Sequence, residues 1–263
     1  MKISRNHTGL AILNAISFVA VLVFNSLASI IPLGGLNTGQ ISDLYPNLFV
    51  PAGLTFSIWG LIYLLLAVYV IYNFISKESY IEKIGLLFFF SSLANICWII
   101  SWQYRHVLLS LFCILIILVT LIRIYQSLNI GHSHTSKKER YMVHLPFSVY
   151  FGWITVATIA NVTAVLVDIN WNRFGLSESF WTVAVIIVAI TLGLIILFLR
   201  SDIAYALVVD WALLGILIKR LSLRQSISAQ DVITTVIVGL VLLSSGILIQ
   251  AVRMLFFKSR VVL

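Results

Sequence analysis

Long, continuous apolar segments constrain the fold of this sequence more than any other feature. Segments such as FVAVLVF (18–24) and LLSLFCILIILVTLI (108–122) are apolar on every side, which excludes a transmembrane β-barrel because its strands alternate in polarity. Hydrophobic residues make up 61% of the chain and charged residues 10%, whereas soluble domains are usually about half apolar. The sequence therefore predicts an all-α, polytopic integral membrane protein with the lipid bilayer as a partner.

A helix that crosses the bilayer needs about 20 mostly apolar residues, and the chain holds about eight such segments. The first is longer than the apolar region of a signal peptide, about 7–15 residues, so we predict that it is retained. The seventh is the weakest because Asp210 lies in its middle, and a re-entrant segment is the alternative there. The predicted membrane helices are 9–31, 51–75, 84–103, 107–128, 144–167, 179–199, 203–219 and 230–256.

The net charge of +8 does not predict a nucleic-acid partner, because the basic residues cluster between the apolar segments. Cytoplasmic loops carry the excess of Lys and Arg, which places the N-terminus in the cytoplasm. The absence of a targeting peptide favours a bacterial cytoplasmic membrane. If segment 203–219 spans the membrane, Lys219, Arg220 and Arg224 lie outside the cytoplasm, against this preference. If the segment is re-entrant, Lys258 and Arg260 lie outside instead. The charges that set the orientation are Lys2, Arg5, Lys77, Lys83, Lys137, Lys138 and Arg140.

The second apolar segment begins with an unusual corner, PNLFVPAGLTFSIWGLIYLL (46–65). Proline suits the first turn of a helix, and we predict that Pro51 occupies it. Gly53 lets a second backbone or a ligand approach closely. Trp59 follows Pro51 by eight positions, so the two lie on similar faces. The corner therefore predicts a shaped entrance with an aromatic wall beneath it.

Two further segments each combine Trp and Asn on one helix face. Asn95 and Trp98 are three residues apart in LFFFSSLANICWIISW (87–102), and Trp153 and Asn161 are eight apart in YFGWITVATIAN (150–161). Asn is costly in hydrocarbon and is usually paired inside a bundle. These helices therefore predict an inward-facing group of aromatic and amide side chains.

Together, the three motifs resemble those of the tryptophan-rich sensory protein family, the TspO/MBR group of translocator proteins. PAGLTFSIWGLIY resembles Pro-Pro-Gly-Trp-Val-Phe-Gly-Pro-Val-Trp-x-x-x-Tyr with one residue deleted, and SLANICW resembles Leu-x-Leu-Asn-x-x-Trp. YFGWITVATIAN resembles Tyr-x-Ala-Trp-x-x-Phe-Ala-Thr-x-Leu-Asn, and the chain departs from the family at Ala52, Leu54 and Val156. The residues in matching positions are Pro51, Gly53, Phe56, Trp59, Tyr63, Asn95, Trp98, Tyr150, Trp153, Ala157, Thr158 and Asn161.

The resemblance covers about residues 10–170. It implies a five-helix core, 1–170, followed by an extension, 171–263, of about three membrane helices. It also implies a ligand pocket that opens toward the loop between the first two helices, built from the matched residues. The implied guest is a flat hydrophobic molecule such as a porphyrin or haem-type ligand, and no cofactor is required. Family members are often dimers, so a homodimer is an open expectation.

Other interpretations of the same residues stay open. The matched Trp and Asn side chains are also typical of helix packing, and loop 32–50 is either a lid over the pocket or an ordinary loop. Trp102, Trp171 and Trp181 are predicted to lie at the membrane interface.

The alternative function is a permease-like transporter that uses Asp210 as its coupling group, with Gln250 or Arg253 as its partner. The favoured interpretation of Asp210 is a structural one, either a polar clamp between helices or a short re-entrant segment that exposes the carboxylate to water. Photochemical degradation of porphyrin would make the protein an enzyme, although the resemblance favours binding. His132 and His134 are too few for a typical metal site, and no metal is predicted.

Overall fold

A computed structural model describes residues 5–30, 33–76, 79–133, 135–222 and 229–259 of the chain. Within these residues the structure is helical, without β-strands. The predictions on Lys2, Lys77, His134 and Arg224 fall outside the described residues. The α-helices are α1 Arg5–Ile30, α2 Thr38–Asp43, α3 Ile58–Ile75, α4 Tyr80–Ile84, α5 Leu87–Gln103, α6 Val107–Ser127, α7 Lys137–Glu139, α8 Leu145–Asp168, α9 Glu178–Arg200, α10 Ile203–Ser222 and α11 Gln230–Ser259.

The all-α polytopic membrane fold predicted from the sequence is confirmed. Each of the eight predicted membrane segments forms a long helix, and the ends differ by a few residues. Helix α10, the weakest prediction, has 20 residues, which is about 30 Å of helix and about the thickness of the hydrocarbon core. Helix α5 is apolar but shorter. The helical segments that are long and apolar enough to cross a membrane are His7–Ala28, Gly53–Ile75, Val107–Ser127, Lys137–Asp168, Glu178–Arg200 and Gln230–Phe256.

The corner before α3 differs from its prediction. A 3₁₀ turn, Gly53–Ser57, precedes α3, and Ala52 is its extended N-cap residue. Pro51 therefore lies before the N-cap, and its assignment to the first helical turn is wrong. In this extended conformation the amide of Ala52 donates a hydrogen bond of 2.9 Å to the carbonyl oxygen of Gly215 on α10. The corner is thus attached to α10.

The long helices form one continuous core. Helix α5 packs against α1 and α6, and α8 packs against α6 and α3. Helix α10 packs against α8 on one side and against α9 and α11 on the other. Helix α10 therefore joins the last helices of the chain to the helices that carry the aromatic motifs.

One end of the bundle carries residues 33–52, 104–106 and 169–177, and we call it the loop end. Lys219 and Arg220 of α10 lie at the loop end, although the excess of Lys and Arg in cytoplasmic loops predicts basic residues at the opposite end. The ammonium group of Lys219 pairs with the carboxylate of Asp43, and buried Arg220 donates to the carbonyl oxygen of Val50 at 3.5 Å. These charges hold the loop between the first two membrane helices. The side of the membrane that the loop end faces stays a prediction.

Candidate functional site

The indole ring of Trp59 lies at the centre of an aromatic cluster. Its centroid is 5.5 Å from those of Tyr63 and Trp98, 6.1 Å from that of Trp153, and 6.2 Å from that of Tyr150. Centroid distances of 4.5–7 Å are those at which aromatic rings attract one another. The three predicted helices thus bring their motif aromatics to one point, and Trp59 contacts all the others.

Hydrogen bonds behind the rings fix their positions. The indole N–H of Trp98 donates to the side-chain oxygen of Asn161 at 3.0 Å, and Asn161 in turn donates to the hydroxyl of Ser110 at 3.0 Å. Because these groups are buried, each bond replaces one that water would otherwise make. The bonds connect α5, α6 and α8 behind the aromatic cluster.

A second set of hydrogen bonds involves the other predicted amide. Asn25 on α1 donates to the side-chain oxygen of Asn95 at 2.8 Å, and Asn95 donates to the hydroxyl of Tyr150 at 3.2 Å. Asn95 and Asn161 are therefore engaged by neighbouring helices, as the packing interpretation expects for amides in a membrane. Their predicted contact with a ligand stays a prediction.

Two cavities have the ring of Trp59 in their lining. The inner cavity has a volume of about 40 Å³ and the outer cavity about 310 Å³. Thr38, Phe56, Trp59 and Trp98 line both of them. The remaining lining residues of the inner cavity are Ser42, Phe49, Pro51, Trp102, Trp153, Val156, Ala157, Ala160, Asn161, Ala212 and Ile216. Those of the outer cavity are Asn25, Asn37, Gly39, Gly53, Tyr63 and Ile99.

Nine of the eleven residues that the sequence assigns to ligand binding line one cavity or both. Asn95 and Tyr150 line neither, and they support Trp59 from behind through the contacts described above. The residues that line a cavity are Pro51, Gly53, Phe56, Trp59, Tyr63, Trp98, Trp153, Ala157 and Asn161.

Two polar groups of the cluster have no partner within the described part of the chain. The indole N–H of Trp153, whose side chain is 3% exposed, has no hydrogen-bond acceptor, and neither has the buried hydroxyl of Tyr63. Buried donors are nearly always satisfied in proteins, and an exception calls for an explanation. Trp153 lines the inner cavity and Tyr63 the outer one, so each cavity has a donor available to a guest.

The loop between the first two membrane helices covers the inner cavity. Its helix α2 begins with a capping box, in which Asn37 and Gln40 exchange hydrogen bonds of 2.9 Å. Thr38 and Ser42 of α2 and the buried ring of Phe49 line the inner cavity. We call residues 33–52 the cover. Its position matches that expected of a lid.

Trp102 was predicted to lie at the membrane interface; it lies at the end of α5, and its depth in the membrane stays a prediction. The side chain is buried because the cover packs over it. Its indole N–H donates to the carbonyl oxygen of Thr38 at 3.2 Å, and its ring contacts Tyr45 at a centroid distance of 6.0 Å. Burial raises the pKa of Tyr45 above its ordinary value, and the charge of Asp168 adds to the shift. Trp102 thus attaches the cover to α5.

Helix α10 supplies residues that the sequence gave no reason to select. Ala212 and Ile216 line the inner cavity, and the indole N–H of Trp211 donates to the carbonyl oxygen of Thr55 at 3.0 Å. A Cβ atom at Gly215 would overlap the side chain of Thr55, so only glycine permits this close approach. The pocket is therefore built from both parts of the chain that the sequence distinguished.

Asp210 lies outside the inner and outer cavities. Its carboxylate accepts a hydrogen bond of 2.9 Å from the hydroxyl of Ser244 on α11. The predicted pairing with Gln250 or Arg253 is wrong, because Gln250 is six residues beyond Ser244, about 9 Å along the helix. The coupling role proposed for Asp210 stays a prediction.

Comparison with known protein families gives one match. The family model described as TSPO-like protein matches residues 11–249 of the chain. No curated protein and no solved structure matches the chain. The matched region runs past residue 170 and includes α9, α10 and part of α11. The predicted division into 1–170 and 171–263 stays a prediction.

Proposed function

The chain belongs to the TSPO-like protein family, and on this premise we propose that it is a membrane sensor or translocator for a flat hydrophobic molecule of the porphyrin class. The single observation that carries the proposal is the aromatic cluster around Trp59, which lines two cavities. Aromatic rings provide large apolar contact surfaces and add roughly 0.5–1.5 kcal/mol for each well-placed pair. A guest with an extended ring system can use several of these surfaces together.

The cavity volumes indicate that binding requires a movement. Ligand pockets usually have volumes of about 300–1,000 Å³, whereas the inner cavity, at about 40 Å³, holds only a few water molecules. Trp59 is one of the four residues that line both this cavity and the outer one. The ring of Trp59 is half-buried, and it contacts the neighbouring aromatic rings and the apolar core. We infer that Trp59 rotates to join the two cavities around the guest.

The unpartnered donors suit the polar groups of a porphyrin. The carboxylates of such a guest accept hydrogen bonds, and the indole N–H of Trp153 and the hydroxyl of Tyr63 lack acceptors in the described structure. A few polar groups in an otherwise apolar pocket are typical of sites that orient a ligand. The two donors lie in different cavities, so a guest that uses both spans the position of the Trp59 ring.

The experiment is a titration of the purified protein in nanodiscs with protoporphyrin IX, followed by the shift of the porphyrin absorption band. We expect saturable binding, which Trp59→Phe, Trp98→Phe and Trp153→Phe each weaken by up to about 10-fold, because the smaller ring of Phe keeps only part of the indole contact surface. Trp171→Phe is the matched control because Trp171 lines neither cavity. Absence of saturable binding to the folded protein, or equal effects of all four variants, would refute the proposal.

The transporter alternative is motivated by the membrane position of Asp210 and by the additional helices after residue 170. No specific contact favours it, because the carboxylate is bonded to Ser244 away from the inner and outer cavities. If the Asp210→Asn variant in liposomes shows the same proton- or substrate-linked flux as the wild-type protein, this alternative is eliminated. Turnover of porphyrin differs from binding in yielding a product, so chromatography after illumination distinguishes an enzyme from a binding protein.

A further inference from the structure

A third cavity lies at the loop end, apart from the cluster around Trp59. It has a volume of about 480 Å³, which is within the range of about 300–1,000 Å³ typical of ligand sites. It lies between the end of α8, the beginning of α9 and two residues of the cover, Pro46 and Asn47. We call it the interface cavity. Its lining residues are Pro46, Asn47, Thr163, Leu166, Val167, Asn170, Trp171, Arg173, Glu178, Trp181, Thr182 and Val185.

The lining of the interface cavity changes in character along the helices. Leu166 and Val167 on α8 and Val185 on α9 are apolar residues within the membrane segments. Arg173 and Glu178 line the cavity at the helix ends and are half-exposed. An apolar part and a charged part in one cavity match a molecule with an apolar chain and a charged group.

Arg173 is the residue of the interface cavity that can bind a negatively charged group of a ligand. The nearest guanidinium nitrogen is 3.9 Å from a carboxylate oxygen of Glu178, beyond the 2.7–3.2 Å of a hydrogen bond, and such exposed pairs are weak. Glu178 is already engaged, because its other oxygen accepts from the amide of Leu48 at 2.9 Å. The Arg173 guanidinium therefore has donors available, and its planar fork fits a carboxylate with two hydrogen bonds.

The loop that carries Arg173 is held in place by aromatic residues. The indole N–H of Trp181 donates to the carbonyl oxygen of Arg173 at 2.9 Å. The rings of Trp171 and Trp181 have centroids 5.0 Å apart, and Phe174, which is 75% exposed, lies 5.3 Å from Trp171. Aromatic residues at helix ends are typical of the membrane interface, where the charged groups of amphiphiles also lie.

We propose that the interface cavity binds a single-chain carboxylate amphiphile, a fatty acid, with its carboxylate on Arg173 and its chain along Leu166 and Val185. The volume accommodates one acyl chain, and the apolar residues extend from the loop end into the membrane segments. This site shares no lining residue with the inner or outer cavity. The inference is therefore independent of any ligand at Trp59.

The test uses the full chain in nanodiscs with a palmitic acid that carries a photoreactive diazirine. We expect crosslinks within residues 163–185, mapped by mass spectrometry, and competition by excess palmitate. Arg173→Gln should reduce this labelling at least 5-fold, and Arg173→Lys should retain most of it. Arg105→Gln is the matched control, since Arg105 is another arginine of the loop end that does not line the cavity.

Two further measurements keep the proposal falsifiable. Leu166→Trp fills the apolar part and should abolish the labelling while Arg173 is intact. Hexadecanol, which has the chain without the charge, should compete poorly. The proposal is overturned if labelling is spread evenly over the chain, if Arg173→Gln leaves it unchanged, or if hexadecanol or lysophosphatidic acid competes better than palmitate.

Discussion

The contact between Thr55 and Gly215 allows a sharp test of how the corner is held. An added Cβ at Gly215 would overlap the Thr55 side chain, so Gly215→Ala must displace the corner from α10. Overpacking of a buried contact costs about 1–3 kcal/mol. Loss of the bond from the Ala52 amide to the Gly215 carbonyl adds about 0.5–1.5 kcal/mol. We expect Gly215→Ala to lower the free energy of unfolding by about 2–4 kcal/mol.

The assay is thermal unfolding of the purified protein in one detergent, with helix content followed by circular dichroism. Gly60→Ala is the matched control, since Gly60 is a helix residue whose added Cβ would meet nothing within 4 Å, and it should be neutral or stabilising by up to about 1 kcal/mol.

Thr55→Ala removes the two atoms closest to the new methyl group, so the double variant should recover part of the loss. If Gly215→Ala unfolds like Gly60→Ala, or if Thr55→Ala gives no recovery, the corner does not rest on α10.

Three other expectations follow from the site. Asn161→Ala leaves the buried indole N–H of Trp98 without its acceptor and should cost about 1–3 kcal/mol of stability, measured by chemical unfolding. Asp43→Asn removes the pair with Lys219 and should change the free energy of unfolding by less than about 1 kcal/mol. It should also increase proteolytic cleavage within residues 33–52, and cleavage equal to that of the wild type would contradict this. Trp59→Ala removes the wall between the two cavities and should speed porphyrin association in stopped-flow experiments while reducing affinity about 2- to 10-fold; slower association would show that Trp59 does not obstruct entry.

The membrane helices were predictable because the bilayer imposes a simple length and polarity on each one. The aromatic cluster was predictable because Trp59, Trp98 and Trp153 each lie at helical spacing from a second residue of their own motif, and the three motifs resemble those of one family. Helix α10 was the least certain segment because Asp210 interrupts its apolar run. Its helix has 20 residues, about 30 Å and close to the thickness of the hydrocarbon core, and its assignment as a spanning helix stays a prediction.

The rest of the site depends on tertiary contacts that leave no local signal. Ala212 and Ile216 are ordinary apolar residues in the sequence, and only the packing of α10 places them in the inner cavity. Trp102 looked like an interface residue because it lies at a helix end, yet the cover buries it. Pro51 suited a helix start, but the bond from Ala52 to Gly215 keeps the backbone extended there.

The attachment of the cover to α10 has a consequence for how the protein is made. Asp43 and Lys219 are 176 residues apart in the chain. At a synthesis rate of about 5–20 residues per second, Lys219 appears roughly 9–35 s after Asp43. Late in that interval the aromatic residues of α3 and α5 have been synthesised, whereas α10 and its contacts with the cover have not. A nascent chain therefore passes through a stage in which its aromatic cluster exists without the residues of α10, and the inner cavity is complete only after α10 has been synthesised.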